Sequence, residues 1–283
     1  MTAADLAPAV HIRGLSKSYG RVAAVREVDL DVAYGEVVAI LGPNGAGKST
    51  TIEILEGHRT RDAGEVRVLG EDPGTADRDW RARIGIVLQD ASDFGTLTVA
   101  ETVRMFAGCY GTARPLDEVL ELVGLSAKTE ARVRTLSGGQ RRRLDVALGI
   151  LATPELLFMD EPTTGFDPEA RRQFWDLIRL LAADGTTIVL TTHYLEEAAA
   201  LADRVAVIAA GRLVAVDTPH RLTAAAHSTA TVRWIERGEE RVVRTERPTE
   251  LIRQRAAAGG ELTALTVTRP SLEDAYLHLI EPT

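Results

Sequence analysis

The chain has 283 residues, of which 45% are hydrophobic, so it can bury the core of one large domain and of a smaller second one, and intrinsic disorder is excluded. Its formal net charge of -8 at pH 7 disfavours nucleic acid as a partner, because proteins that neutralise a phosphate backbone usually carry a basic surplus. The lone cysteine, Cys109, cannot form an internal disulfide, and its apolar neighbours Met105 and Phe106 predict a packed side chain in a reducing compartment.

Apolar runs in the first two thirds of the chain predict a parallel α/β core. Residues 10 to 40 alternate β-like runs with turns and end in the unbroken apolar run 37–41, of the kind that is buried in a parallel sheet. Further strands are predicted at 84–88, 156–159, 187–190 and 205–208, and helical stretches separate most of them. Between them, Leu144, Ala147, Leu148 and Leu151 recur at helical spacing, and Pro154 follows. We therefore expect a helical subdomain at about 91–152, within a domain of residues 1–225.

The composition changes after about residue 225, which predicts a separate accessory domain at 226–283. Strands are expected at 231–235 and 241–245, around the turn-prone pair Arg237-Gly238, and again at 262–268. A helix should follow Pro248. A final helix should begin after Ser271, with Asp274 three residues on as in a capping box. These elements predict a small α+β appendage.

Membrane, export and metal signals are missing from the sequence. No apolar run approaches the roughly 20 residues that cross a bilayer, and the first ten residues contain Asp5 and no basic segment. The six histidines are scattered, and no Cys/His cluster has the spacing of a metal site. We expect any metal to arrive with a nucleotide.

A phosphate-binding loop is the strongest motif in the chain. It satisfies the pattern G-x-x-x-x-G-K-[ST] and consists of Gly42, Pro43, Asn44, Gly45, Ala46, Gly47, Lys48, Ser49 and Thr50. The loop follows the apolar run 37–41 and precedes a helical stretch, whose positive end favours an anion. Lys48 should reach the β- and γ-phosphates of ATP, and the Ser49 hydroxyl should ligate Mg²⁺. A glycine-rich turn with a surface lysine is the simpler alternative, but the pattern arises by chance in only about 1% of chains of this length.

Two adjacent carboxylates supply the second half of a nucleotide site. The apolar run 156–159 delivers Asp160 and Glu161 to the carboxyl end of a predicted strand, where ligands of open α/β sheets bind. Asp160 should hold Mg²⁺ through its water shell, and Glu161 should polarise the water that attacks the γ-phosphate. An ordinary strand that ends in acidic residues would look the same, but the upstream phosphate loop favours the catalytic interpretation.

A third motif identifies the family that the sequence resembles. Leu136-Ser137-Gly138-Gly139-Gln140 resembles the signature motif of ABC (ATP-binding cassette) ATPases. Taken alone, it could be a helix N-cap followed by two flexible glycines. The resemblance implies a P-loop NTPase of the ABC type, with a mostly parallel core sheet, an N-terminal antiparallel β subdomain, a helical subdomain and the small C-terminal α+β appendage. It also implies a head-to-tail dimer with a second copy or a related ATPase, in which Ser137, Gly138, Gly139 and Gln140 cover the partner's ATP.

The remaining family motifs fall in order over residues 10–220. The resemblance implies that Tyr19 stacks on adenine, that Gln89 contacts Mg²⁺, that Asp167 crosses the dimer interface and that His193 bonds the γ-phosphate. Outside this context the tyrosine and the histidine would more often be structural, and a lone glutamine would mean nothing. Phe166 stands where leucine is commoner. The implied catalytic set is Lys48, Glu161 and His193, and the implied metal set is Ser49, Gln89 and Asp160.

Less specific motifs distinguish between the possible functions of an ABC ATPase. The single uninterrupted cassette and the acidic balance favour a transporter subunit over a soluble ATPase that acts on ribosomes or nucleic acid. Arg141-Arg142-Arg143-Leu144 and the ending 270–277 resemble the daunorubicin-resistance type of exporter ATPase. A solvated or ion-paired helix face and a capped amphipathic helix are the simpler alternatives, and both are compatible with an importer. The resemblance implies export of drug-like or lipid-like molecules, a separate membrane-spanning permease, and a peripheral position at the cytoplasmic face of the cell membrane. Phe94 is then either a partly exposed docking residue or core.

Overall fold

A computed structural model describes residues 7–87, 94–226, 230–236, 238–257, 262–268 and 271–280. The chain divides into two compact units, Met1–Val214 and Ala215–Thr283. The strands that begin in the first unit are β1 Val10–Tyr19, β2 Val22–Val32, β3 Val37–Leu41, β4 Ala63–Val68, β5 Ile84–Val87, β6 Leu156–Asp160, β7 Thr187–Thr192, β8 Arg204–Ala209 and β9 Arg212–Asp217. Its helices are α1 Lys48–Leu55, α2 Arg78–Ala82, α3 Val99–Ala107, α4 Leu116–Leu122, α5 Gly138–Gly149, α6 Pro168–Ala183 and α7 Leu195–Leu201.

The core of the first unit is a six-stranded sheet in the order β5-β6-β7-β3-β8-β9. The strands from β5 to β8 pair in parallel, and β3 and β7 are buried throughout, as their unbroken apolar sequences predict. Leu41 is aligned with Thr192, and Asp160 with Thr191. The carboxyl ends of β3, β6 and β7 therefore meet at one edge of the sheet, which confirms the parallel core.

A second, antiparallel sheet has the order β2-β1-β4. Val10 of β1 lies opposite Val32 on one side and Val68 on the other, and all three are buried. Their alternation with polar residues is typical of a sheet that buries one face. This sheet confirms the N-terminal antiparallel subdomain, and it places Tyr19 at the end of β1.

The described residues from 94 to 152 contain the helices α3, α4 and α5. Two of these begin with a reciprocal capping box, Thr98 with Glu101 in α3 and Ser137 with Gln140 in α5. Phe94 is half-buried, and its ring packs edge-on against Phe106 with 5.3 Å between the ring centroids. The expected partial exposure of Phe94 is thus confirmed.

The prediction of a packed Cys109 is wrong, because this side chain is exposed. Helix α3 buries Val99 and Val103, but it ends at Ala107 with Gly108 as its C-cap. Cys109 lies in the turn beyond the helix, where its thiol comes within 3.8 Å of the Met105 carbonyl oxygen. Apolar neighbours in sequence do not bury a residue that falls after the helix has ended.

The second unit contains the helices α8 Pro219–Ala226, α9 Pro248–Ala257 and α10 Leu272–Ile280, and the strands β10 Ala230–Glu236, β11 Glu239–Thr245 and β12 Thr263–Thr268. The three strands form an antiparallel sheet in the order β11-β10-β12. Trp234 is buried on β10, and the Ser271 hydroxyl accepts a hydrogen bond from the Asp274 backbone N–H at the start of α10. This confirms the expected α+β appendage. None of the helices in the described parts of the chain is both long and apolar enough to cross a bilayer.

Candidate functional site

The loop between β3 and α1 requires glycine at two closely packed positions. A Cβ on Gly42 would lie 2.2 Å from the carbonyl oxygen of Ile208, and one on Gly47 would lie 2.2 Å from that of Ala24. Gly47 also has a φ of +102°, in the left-handed region that favours glycine. The loop is therefore wedged between β2 and β8, and it leads directly into the N-terminus of α1, whose dipole favours an anion.

Lys48, the first residue of α1, points back into this loop. Its ammonium group donates to the carbonyl oxygens of Gly42 at 2.9 Å and Pro43 at 3.3 Å. It also lies 3.9 Å from Glu161 Oε1. Burial lowers the pKa of Lys48, while the charges of Glu161 and Asp160 act to raise it. Lys48 is thus a buried cation between the glycine loop and the carboxylate of Glu161.

Glu161 occupies a strained backbone position held by strand β7. Its φ is +43°, which is left-handed for a residue other than glycine and costs about 1–3 kcal/mol. The Glu161 backbone N–H donates to the carbonyl oxygen of Thr191 at 3.1 Å and to its hydroxyl at 3.0 Å. The same hydroxyl donates to Asp160 Oδ1. Strand β7 therefore fixes the turn that carries both carboxylates.

The carboxylate of Glu161 lies among three cationic or polar groups. Its Oε2 is 3.2 Å from His193 Nδ1 and accepts a hydrogen bond of 3.2 Å from the Thr164 hydroxyl, while its Oε1 faces Lys48. His193 directly follows β7, and its ring centroid lies 4.0 Å from that of Tyr194. Lys48, Glu161 and His193, which are far apart in sequence, thus form one cluster at the carboxyl edge of the sheet.

The other predicted residues have different surroundings in this single chain. The Ser137 hydroxyl accepts from the Gln140 N–H at 3.3 Å, and Asp167 caps α6 by accepting from the N–H groups of Glu169 and Ala170. Both side chains are exposed at the starts of their helices. The Tyr19 side chain is 41% exposed, and its ring centroid lies 5.2 Å from the Arg59 guanidinium carbon. Gln89 lies outside the described residues.

The burial of two ionisable residues near the cluster was not predicted from the sequence. Arg142 on α5 is only 6% exposed, and it donates from Nη2 to the Asp160 carbonyl oxygen at 2.8 Å and from Nε to that of Pro162 at 3.0 Å. Glu56, the C-cap of α1, is 4% exposed, and burial raises its pKa to about 8, with further contributions from Asp160 and Glu53. No local sequence pattern marks either residue as buried.

A glycine loop with a buried lysine, and a carboxylate beside it at the edge of a parallel sheet, define a P-loop NTPase. The model of the ABC transporter family matches residues 25–164. The Nod factor export ATP-binding protein I of Rhizobium sp. (strain N33) is 44% identical over 76% of this chain and 72% of its own length. The daunorubicin resistance ATP-binding protein DrrA3 of Streptomyces coeruleorubidus is 36% identical over 96% of this chain and 95% of its own length.

Among solved structures, a dimeric bacterial ABC transporter cassette is similar with a TM-score of 0.65 and 26% identity, over 74% of this chain and 98% of that one. The chain belongs to the ABC transporter family, of which it is an ATP-binding cassette. It is an ATPase, as cassettes of this family are.

Proposed function

We propose that this chain is the ATP-hydrolysing subunit that powers a membrane exporter of drug-like or lipid-like molecules. The observation that carries the proposal is the cluster of Lys48, Glu161 and His193 beside the glycine loop. Export is supported by the relatives, which are named for Nod factor export and for daunorubicin resistance. The match to the second of these extends over both units of the chain. Residues 1–225 would be the nucleotide-binding domain, and 226–283 an accessory domain.

ATP phosphates would bind in the loop of residues 42–50. The Lys48 ammonium group would exchange its carbonyl partners and the nearby Glu161 for the β- and γ-phosphates. A buried lysine with a lowered pKa is poorly solvated, so a phosphate partner stabilises its charge strongly. Tyr19, exposed at the end of β1, would stack on the adenine.

The oxygen donors of the site fit Mg²⁺ that arrives with ATP. Ser49 and Asp160 would supply a hydroxyl and a carboxylate, and Gln89, which lies outside the described residues, would add an amide oxygen. These are hard ligands of the kind Mg²⁺ prefers. Within the described residues, no group of three His, Cys, Asp or Glu side chains could hold a metal ion. A few protein oxygens combined with phosphates are the usual way to bind Mg²⁺, which when bound would neutralise charge on the β- and γ-phosphates.

Glu161 would act on the attacking water. The water oxygen forms the new bond to the γ-phosphorus, its proton passes to the Glu161 carboxylate, and the bond to the ADP oxygen breaks, which gives ADP and phosphate. A neutral imidazole carries a single N–H. A neutral His193 that donates to Glu161 therefore releases that bond when it donates to the γ-phosphate, which frees the carboxylate to accept from water.

ATPases of this family dimerise and pair with membrane permease subunits. We place Ser137, Gly138, Gly139 and Gln140, with Asp167, against the ATP of the second subunit in a head-to-tail dimer. Ser137, Gly138 and Asp167 are exposed at helix starts, which supports this placement because they can be covered without unfolding any element. The chain would then be peripheral at the cytoplasmic face of the membrane, bound to a separate permease.

The test of the exporter proposal is a charge placed at Phe94. Phe94 is half-buried beside Phe106, and in the proposal the exposed part of its ring contacts the membrane subunit. Phe94→Asp should therefore abolish co-purification with that subunit and ATP-driven export. Basal hydrolysis by the isolated protein should stay within about threefold, since the substitution touches no phosphate-binding group. Leu180→Asp, at an exposed leucine of α6, is the matched control.

Each outcome of this test has a distinct meaning. If Phe94→Asp folds and still binds the membrane subunit, the docking surface lies elsewhere. If it unfolds, Phe94 belongs to the core. Substrate movement towards the cytoplasm in the reconstituted complex would make the protein an importer subunit and contradict the proposal.

A further inference from the structure

Arg142 makes an unusual contact with the backbone around Glu161. Its guanidinium donates to the carbonyl oxygen of Asp160 at 2.8 Å and to that of Pro162 at 3.0 Å. These residues stand immediately before and after Glu161. One planar side chain from α5 therefore bridges the carbonyl groups of the residues before and after the proposed catalytic base.

The Glu161 backbone needs such support because of its conformation. A left-handed φ of +43° in a glutamate persists only when the surrounding structure over-determines it. Thr191 on β7 holds the Glu161 N–H from one side. Arg142 holds the flanking carbonyl groups from α5. Together, the two contacts fix the turn between two separate elements.

Burial of the Arg142 charge argues against an incidental surface contact. Burial lowers the pKa of Arg142, while the nearby carboxylates of Asp145, Asp160 and Glu197 act to raise it. Arg142 Nη1 lies 3.9 Å from Asp145 Oδ2, which is longer than either hydrogen bond to a carbonyl group. By contrast, Arg143 on the same helix is partly exposed and donates to Gln173 Oε1 at 2.6 Å. Arg142 alone among the three consecutive arginines is buried.

We propose that Arg142 is a positioning residue for Glu161, holding the strained turn so that the carboxylate faces the attacking water. The inference rests on the proposed role of Glu161 as the base. A guanidinium presents several N–H donors in a fixed fork, whereas a lysine ammonium is a point charge. Lysine at position 142 keeps the charge and cannot reproduce the two-carbonyl bridge.

The test compares Arg142→Lys with Arg143→Lys in steady-state hydrolysis and equilibrium ATP binding. Arg142→Lys should lower kcat by about tenfold or more, since small misplacements of catalytic groups cost up to about a hundredfold. The Kd for ATP should stay within about threefold, because Lys48 and its loop are carried by other elements. Arg143→Lys should leave both quantities nearly unchanged. Rates are expressed per ATP-binding molecule, so partial unfolding does not mimic the effect.

A double mutant separates positioning from general structural support. In the Glu161→Gln background, Arg142→Lys should cause little further loss, because the group that it positions is already gone. An equal loss in both backgrounds overturns the proposal, as does a kcat of Arg142→Lys within twofold of wild type. Complete loss of ATP binding in Arg142→Lys also overturns it, since the residue is then structural. If Glu161→Gln itself keeps wild-type turnover, the proposed role of Glu161 fails, whatever Arg142 does.

Discussion

Replacing Glu56 by glutamine should make the protein more stable at alkaline pH. This carboxyl lies almost fully buried at the end of α1, and burial raises its pKa from 4.5 to about 8. His58 Nδ1 is 3.3 Å from Glu56 Oε2 and would favour the charged carboxylate if it were protonated. The His58 side chain is 56% exposed, so solvent screens that attraction and the burial of Glu56 dominates.

The sign and size of the effect follow from linkage. Below about pH 4.5 the carboxyl is protonated in both the folded and the unfolded chain, and the stability it contributes is fully present. Between pH 4.5 and about 8 only the unfolded chain ionises, so the free energy of unfolding falls as the pH rises. At about 1.4 kcal/mol per pH unit, the loss above pH 8 amounts to at most about 5 kcal/mol. Glutamine at position 56 removes this dependence.

The assay is urea denaturation of wild type and Glu56→Gln at pH 5, 7 and 9. The stability difference between the two proteins should be small at pH 5 and should grow steadily towards pH 9. Glu65→Gln, at an exposed glutamate on β4, is the matched control and should show no such trend. A difference that is the same at every pH, or a Glu56→Gln protein that is less stable at pH 9, would refute the reasoning.

Three further predictions concern the nucleotide site. Tyr19→Ala should raise the Kd for ATP about tenfold, by analogy with stacking on bases, whereas Tyr19→Phe should be nearly silent in the same binding titration. Gly47→Ala should abolish ATP binding, because the added Cβ would lie 2.2 Å from a carbonyl oxygen of β2. Gly45→Ala is the control: its Cβ would have no atom within 4 Å, so this substitution should only lower the melting temperature. Mixing Ser137→Arg with Lys48→Ala protein should partly restore hydrolysis, since each heterodimer has one intact composite site. If heterodimers form and the mixture hydrolyses ATP no faster than the two variants do separately in sum, shared sites are contradicted.

The sequence predicts the ATP-phosphate loop and the carboxylate pair because both depend on local order. A glycine loop after an apolar strand, and carboxylates at the end of another, must meet when parallel strands align their carboxyl ends. The register between β3 and β7 brings His193, which follows β7, to the same edge of the sheet. The capping interaction of Ser271 was equally predictable, since it spans only three residues.

Burial of individual polar side chains was not predictable in this way. Arg142 is the middle of three arginines, and only the packing of α5 against the turn after β6 distinguishes it from its neighbours. Cys109 was expected to be buried from its neighbours, but the end of α3 leaves it exposed. The left-handed φ of Glu161 likewise depends on hydrogen bonds that its N–H donates to a strand far away in sequence.

The most direct test of the account is the turnover and assembly of Glu161→Gln. Glutamine keeps the size of the side chain and removes the base, so hydrolysis should fall by about 10² or more while ATP still binds. The protein should then accumulate as an ATP-bound dimer in size-exclusion chromatography, and Lys48→Ala, which weakens phosphate binding, should remain monomeric. Turnover of Glu161→Gln within about threefold of wild type would contradict the assignment of Glu161 as the group that activates water.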